Sequence, residues 1–261
     1  MYTVKRKLKT NDERKRKKKK TVVRTRFCGA ITNVVLSAVL LMLSAVCLSD
    51  SGDPVSAVGE TDVYRNGVRG TDCVSLMFNV YENTEIVCDM SDILIEYGAK
   101  ATFFVGGCWA DDNARCIQKL VRDGHEIGNH GYFHKDHATL SFQANKTEIS
   151  SCNRVVEAFT GKKPVLFAPP SGAYGKDCIR AAEEEEMKTV LWSRDTIDWR
   201  DKDAALVFKR ATSGVKGGDL VLMHPKEHTL SALKDVLVYY KNHSLRVVTV
   251  SENLSSAQQS S

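Results

Sequence analysis

The sequence predicts an α/β protein in which about seven parallel strands form a barrel or near-barrel, preceded by one transmembrane helix. Short apolar runs alternate with helix-like stretches of 10–15 residues from position 73 onward, which is the pattern of parallel strands covered by helices. Seven such units in succession favour one barrel-like sheet over two domains. A separate apolar run near the amino terminus is long enough to cross a bilayer.

The amino-terminal part of the chain differs in charge from the rest. Residues 1–26 carry a net charge of +11, so the remaining residues carry −6. An acidic remainder does not suit nucleic acid, whose binding depends on phosphate neutralisation, and we expect no nucleic-acid partner. Residues 29–48 contain no charged side chain, and twenty helical residues span about 30 Å of hydrocarbon. The basic flank predicts that the amino end stays in the cytoplasm.

These patterns divide the chain into four parts. We predict a basic cytoplasmic segment at 1–26, a transmembrane anchor or signal sequence at 27–49, a linker rich in Ser, Gly and Asp at 50–70, and a folded domain at 71–254. With an uncleaved anchor, the protein crosses the cytoplasmic membrane once and its folded domain is extracytoplasmic. A cleaved signal peptide is the alternative, and the protein is then secreted.

The folded domain contains six cysteines, and no C-x-x-C pair that would suggest a structural zinc cluster. Outside the membrane they can form up to three disulfides, or they can remain thiols, and the sequence leaves the pairing open. The cysteines are Cys73, Cys88, Cys108, Cys116, Cys152 and Cys178.

The elements of the domain follow from apolar runs and from the glycines that end them. The predicted strands are 73–80, 100–107, 125–131, 164–172, 189–195, 217–224 and 245–250. The predicted helices are 84–98, 113–124, 142–160, 178–188, 201–213 and 228–242. Gly98, Gly124 and Gly161 follow three of these helices, as expected for residues that end a helix in the left-handed conformation.

Polar residues gather directly after the strands, where a parallel barrel builds its site. His130 and His134 stand four residues apart in NHGYFH, and two imidazoles at that spacing can share a metal ion. His224 ends the apolar run LVLMH, and Asp198 precedes Trp199. Each has a structural alternative, since a lone histidine is often part of a core and an aspartate can cap the next helix.

Four motifs carry a family resemblance, and in chain order they are GHEIGNHGYFH, FAPPSG, WSRDTIDW and LVLMH. Together they resemble the polysaccharide deacetylase family (carbohydrate esterase family 4, the NodB-homology domain) over residues 71–251. The resemblance implies a distorted (β/α) barrel that removes acetyl groups from chitin-like or peptidoglycan polymers. It also implies a divalent metal, zinc being the expected one, held by an Asp-His-His set.

The resemblance assigns roles to individual residues. It implies that His130 and His134 bind the metal, and that His224 is the general acid with Asp198 beside it. It places three residues in the substrate-binding part of the site: Pro170, Gly172 and Trp199.

The first motif, within SLMFNVYENTE at 75–85, departs from the family pattern. The family's base aspartate falls on Asn79 and its metal-binding aspartate on Val80, and Ala168 replaces an arginine. Asn79 cannot accept a proton as a base would, and an arginine without its aspartate would be an unpaired buried cation. Glu82 is therefore a candidate replacement base, although it can equally favour the start of the next helix.

Two functions are consistent with these residues. The first is a divergent metal-dependent deacetylase acting on cell-wall polysaccharide while anchored in the cytoplasmic membrane. The second is a catalytically silent glycan-binding or regulatory domain that keeps the deacetylase fold.

Overall fold

The computed structural model describes residues 63–255. The predicted segments 1–26 and 27–49 lie outside these residues, as does most of the predicted linker 50–70. Within the described part of the chain, no helix combines the length and apolarity needed to cross a membrane.

The described residues form nine strands and eight α-helices. The strands are β1 (Val63–Tyr64), β2 (Cys73–Val80), β3 (Thr102–Val105), β4 (Glu126–Asn129), β5 (Leu166–Phe167), β6 (Lys188–Val190), β7 (Arg194–Asp195), β8 (Leu220–Met223) and β9 (Arg246–Val247). The helices are α1 (Thr84–Glu96), α2 (Gly107–Asp112), α3 (Ala114–Arg122), α4 (Phe142–Thr160), α5 (Lys176–Glu184), α6 (Ala204–Thr212), α7 (Glu227–Asn242) and α8 (Val250–Ser255). One 3-10 turn, Pro170–Gly172, follows β5.

The strands form one curled parallel sheet in the order β1-β6-β5-β4-β3-β2-β8-β7, and β9 also pairs with β2. β6 and β7 are six places apart in this order, although only residues 191–193 separate them in the chain. In a flat sheet they would lie about 29 Å apart, whereas the connecting residues can span at most about 14 Å. The sheet therefore curls into a half-barrel, which confirms the predicted α/β class and parallel strands.

Three differences from the predicted elements have physical causes. The predicted strand 189–195 is two strands, because Leu191 N donates to Tyr64 O in β1 whereas Ser193 N donates to Leu220 O in β8. The strand β1 lies within the range 50–70 predicted as a linker, and its two residues are too few to show a period. The helices α2 and α8 have six residues each, which is also too short for a clear apolar stripe.

The side chains of β2 alternate between two apolar layers. Leu76, Phe78 and Val80 are fully buried in the layer between the sheet and the helices. Met77 lies in the layer inside the half-barrel, with Phe104, Leu166 and Leu220 among its members. Asn79 is the next inward position after Met77, so it lies at the carboxyl end of β2 on the inner side.

The buried His125 makes the stability of the fold depend on pH. Ala101 N donates to His125 Nδ1 at 3.2 Å, so Nε2 carries the proton that it shares with Ser91 Oγ at 3.1 Å. Burial lowers the pKa of His125 to about 4. The folded-state pKa lies below the unfolded value, so this contribution to stability is present above about pH 6.5 and is lost as the pH falls toward 4.

We expect the free energy of unfolding to fall by about 2 kcal/mol per such histidine between pH 7.5 and pH 5. Urea unfolding of the wild type and of His125→Gln at both pH values measures this, because glutamine keeps a donor and an acceptor but does not titrate. A smaller pH effect in the variant is the expected result. An equal effect in both proteins would contradict the assignment to His125.

Candidate active site

A cleft of about 540 Å³ opens at the carboxyl ends of the strands. It brings together six of the nine predicted site residues, namely Asn79, Glu82, His130, His134, Trp199 and His224. Asp198 does not line the cleft but is hydrogen-bonded to His224, which does. Pro170 and Gly172 do not line it either, although Ser171 between them does. Further lining residues not assigned to the site from sequence are Tyr81, Ser171, Trp192, Asp195, Leu222, Pro225 and Lys226.

His130 is held with one ring nitrogen free. Its Nδ1 lies 2.7 Å from Ala168 O, and since a carbonyl only accepts, Nδ1 carries the proton and Nε2 keeps its lone pair. Burial, followed by the neighbouring His134, lowers the pKa of His130 to about 3. His130 is therefore neutral at pH 7, the state in which an imidazole binds a metal.

His134 comes close to His130 through a loop and not through a helix. Gly131 has φ 72° and His134 has φ 54°, so two left-handed positions bend the chain within four residues. The ring centroids lie 5.2 Å apart, and two imidazoles bound tetrahedrally to one zinc ion have centroids roughly 5 Å apart. Burial also lowers the pKa of His134, which favours a second neutral nitrogen ligand.

Asn79 lines the same cleft and carries an unsatisfied side-chain oxygen. Its side chain is 6% exposed, and its Oδ1 is buried without a hydrogen-bond partner among the described residues. An orphaned buried acceptor is costly unless a ligand or water satisfies it. His130, His134 and Asn79 thus fit a divalent cation as an uncharged N, N, O set.

This set lacks the carboxylate that the family resemblance implies. Val80 is fully buried in the layer between sheet and helices, because successive strand residues point to opposite faces. Among residues 63–255, no group of three or more His, Cys, Asp or Glu side chains is placed to hold a metal ion. The metal charge would therefore be uncompensated at these ligands, which weakens binding relative to a set with a carboxylate.

Asp198 and His224 form a hydrogen-bonded pair in which His224 lines the cleft and Asp198 lies behind it. His224 donates twice to the Asp198 carboxylate, from its backbone N to Oδ2 and from Nδ1 to Oδ1, each at 2.7 Å. Thr229 Oγ1 donates to Oδ2 at 2.7 Å. Burial alone raises the pKa of Asp198, but these hydrogen bonds and the charge of His224 outweigh it, so the pKa lies below its usual value.

The ionised Asp198 orients the imidazole of His224. With Nδ1–H bound to Asp198, Nε2 is the ring nitrogen left for chemistry in the cleft. The turn before Asp198 is fixed by Asp195 Oδ1, which accepts from Ile197 N at 2.7 Å, and Ile197 has φ 54°. This arrangement suits a general acid held in one orientation.

Glu82 lines the rim of the cleft and forms an ion pair with Lys226. Its side chain is 56% exposed, so the carboxylate is both hydrated and paired. The neighbouring Asn83, with φ 61°, donates from Nδ2 to Pro225 O at 2.8 Å and fixes this turn. The structure thus places the candidate base at the entrance of the cleft, in contact with a lysine that no sequence motif indicates.

The segment after β5 shapes the wall of the cleft. Pro170 is buried, and Ser171 is the member of this turn that lines the cleft. Gly172 has φ 67°, and a Cβ at this position would lie 2.8 Å from Trp192 Cη2. The absence of a side chain at Gly172 therefore leaves room for the Trp192 ring. Trp199 lies on the rim with 56% of its surface exposed.

The sequence is similar to that of known polysaccharide deacetylases. The family model described as polysaccharide deacetylase matches residues 66–190. A peptidoglycan-N-acetylglucosamine deacetylase of Bacillus cereus is 33% identical over 169 residues, covering 62% of this chain and 79% of that protein. The uncharacterised protein YlxY of Bacillus subtilis is 36% identical over 179 residues, or 69% of this chain. The chain spans only 56% of the length of YlxY.

The chain is also similar to solved structures, one of which is of a protein described as a pseudoenzyme. The crystal structure of BA3943 from Bacillus anthracis, described as a carbohydrate esterase family 4 pseudoenzyme, superposes with a TM-score of 0.71 at 32% identity, covering 74% of this chain and 68% of that one. A mutant of BA3943 is described as having restored enzymatic activity. The predicted resemblance is confirmed, and this chain belongs to the polysaccharide deacetylase family.

Proposed function

We propose that this chain binds N-acetylated cell-wall polysaccharide in the cleft and that Asn79 suppresses its deacetylase activity. The observation that carries the proposal is Asn79, which lines a cleft that keeps His130, His134 and His224. Its buried Oδ1 has no hydrogen-bond partner among the described residues. Amide hydrolysis needs a group that accepts a proton from the attacking water. An asparagine amide has no basic lone pair for this role.

The retained residues still suit an acetylated sugar. His224 can donate a proton to a leaving nitrogen, because Asp198 holds its ring in one orientation. A divalent cation held by His130, His134 and Asn79, for which zinc is the expected metal, would supply Lewis-acid polarisation of the acetyl carbonyl. The cleft thus keeps groups that contact an acetamide and lacks the one that starts its hydrolysis.

The substrate class follows from the aromatic wall and from the relatives. Trp192 and Trp199 line the cleft, and flat aromatic faces pack against the apolar faces of sugar rings. The Bacillus cereus relative is named for peptidoglycan N-acetylglucosamine. Peptidoglycan strands or N-acetylglucosamine oligomers are therefore the proposed ligands.

Glycan binding is tested by fluorescence titration of the full chain with N-acetylglucosamine oligomers and with peptidoglycan fragments. We expect saturable quenching, because both cleft tryptophans contact the ligand, and an affinity about tenfold lower in Trp199→Ala, the cost of roughly 1.4 kcal/mol of lost contact. Trp109 is buried and is not among the residues that line the cleft, so we expect it to contribute a constant background to the emission. Equal affinity in wild type and Trp199→Ala would place the glycan elsewhere.

A second candidate is a working deacetylase that uses Glu82 as its base. The observation in favour of it is that Glu82 lines the cleft. The ion pair with Lys226 and the 56% exposure of its side chain oppose it, since a base must reach the attacking water and not a lysine. A Glu82→Gln variant distinguishes the two candidates, because only the second requires this carboxylate for acetate release.

The proposed location follows from the sequence of the first 50 residues. The basic segment 1–26 and the apolar run 29–48 support a single-pass anchor in the cytoplasmic membrane, with the deacetylase-like domain outside, facing the wall. Secretion after signal cleavage is the alternative. Cell fractionation with mass determination of the mature chain distinguishes an intact anchored protein from a shortened secreted one.

A further inference from the structure

Two cysteines on neighbouring helices lie with their sulfur atoms in contact. Cys88 is on α1 and Cys116 is on α3, and their Sγ atoms are 3.1 Å apart. Cys116 is 5% exposed, whereas Cys88 is half-buried and reaches solvent. Both are present as thiols. Their positions on separate helices mean that a covalent bond between them would join two elements of the fold.

The pair lies where α1 begins, next to the turn that forms one rim of the cleft. Thr84, the first residue of α1, donates from Oγ1 to Asn113 Oδ1 at 2.7 Å and accepts from Trp109 Nε1 at 3.2 Å. Cys116 Sγ lies 4.0 Å from Thr84 O. The first turn of α1 is thus already fixed to the start of α3 by polar contacts around the sulfur pair.

We propose that Cys88 and Cys116 are a disulfide-forming pair that locks α1 to α3. The oxidant is an external disulfide, either of a small thiol compound or of a thiol-disulfide oxidoreductase. The Cys88 thiolate attacks the external disulfide, forms a mixed disulfide and releases one thiolate. Cys116 then loses its proton and attacks Cys88 Sγ, so that the second thiolate leaves and takes up that proton. Two electrons pass to the external disulfide, which becomes two thiols.

The solvent exposure of the two thiols determines which of them reacts first with the external disulfide. Burial raises the pKa of the Cys116 thiol, and its sulfur is shielded by α1, so the half-exposed Cys88 meets the external disulfide first. The product closes a loop between two positions that are 28 residues apart in the sequence. Such a loop restricts the unfolded chain and stabilises the folded one.

The test uses the full chain incubated with glutathione disulfide or with dithiothreitol, followed by alkylation and non-reducing digestion. Mass spectrometry is expected to find one peptide pair linked through Cys88 and Cys116 in the oxidised sample. Cys152, which is fully buried and donates from Sγ to Val105 O, is the matched control and is expected to remain an unlinked thiol. The oxidised chain is expected to melt roughly 5–15 °C higher than the reduced chain.

The shift should reverse with dithiothreitol and be absent in Cys88→Ser. The comparison of oxidised with reduced wild type needs no variant, so it holds even where a substitution impairs folding. Recovery of Cys116 as an alkylated thiol while Cys88 carries glutathione would overturn the proposal. Equal melting temperatures of the oxidised and reduced wild type would overturn it as well.

Discussion

The Asn79→Asp variant is expected to release acetate from N-acetylglucosamine oligomers at least about 100-fold faster than the wild-type chain, because a positioned general base contributes 10²–10⁴-fold. The new carboxylate would occupy the inner side of β2, where Asn79 is 6% exposed and lines the cleft. It would also give His130 and His134 a charged partner around a cation. Acetate release, measured with added zinc, reports the effect.

Three controls define this result. His224→Ala in the Asn79→Asp background is expected to remove the gained activity, because the acid is lost while the base is present. Asn79→Ala is expected to stay at the wild-type level, which separates a new base from a larger cavity. Glu82→Gln in the wild-type background is expected to leave the rate of acetate release unchanged. Substantial wild-type release that disappears in Glu82→Gln would show that Glu82 is the base and would contradict the role given to Asn79.

Replacing Asp198 by alanine is expected to lower the free energy of unfolding by about 3 kcal/mol. The carboxylate is buried and accepts three hydrogen bonds, two from His224 and one from Thr229. Its removal leaves the buried Thr229 hydroxyl and the His224 backbone N–H without an acceptor. Urea unfolding at pH 7 measures the loss, and Thr229→Val, which removes a single bond, is expected to cost about 1 kcal/mol.

The effect of Asp198 has a defined pH dependence. Its folded-state pKa is lowered, so its contribution is complete above the unfolded value of about 3.9 and is lost as the pH falls through the folded value. The difference between the wild type and Asp198→Ala is therefore expected to shrink below pH 4. A difference that is small at pH 7, or constant with pH, would contradict the description of Asp198 as an ionised carboxylate stabilised by three hydrogen bonds.

The repeated elements of the fold were predictable, whereas its shortest elements were not. The helix predicted at 142–160 agrees with α4 at both ends, because Ser141 caps its start and Gly161 adopts φ 71° after its end. The apolar run 189–195 was predicted as one strand because local periodicity does not show where a strand leaves one sheet edge for the other. That split depends on the curl of the whole sheet, which no local pattern encodes.

Site residues that lie in a recognised motif were predictable, whereas contacts between loops that are distant in the sequence were not. His130, His134 and His224 converge on one cleft as expected of residues that follow parallel strands. The contact between Glu82 and Lys226 joins residues 144 positions apart, and Trp192 depends on Gly172 for its place. Such contacts arise from tertiary packing. Trp192 and Asp195 lie beside a strand end and within the motif WSRDTIDW, and these two signals could have identified them.

The most direct test of the account is recovery of glycan from the wild-type chain after binding. The full chain is incubated with zinc and with less than one equivalent of an N-acetylglucosamine oligomer until binding is complete. The protein is then denatured to release the oligomer, and the mass of the oligomer is measured by mass spectrometry. The account predicts that the bound oligomer is recovered fully acetylated, while the Asn79→Asp protein returns it with acetyl groups removed. An oligomer deacetylated by the wild-type chain at the rate of the variant would contradict the claim that Asn79 suppresses hydrolysis.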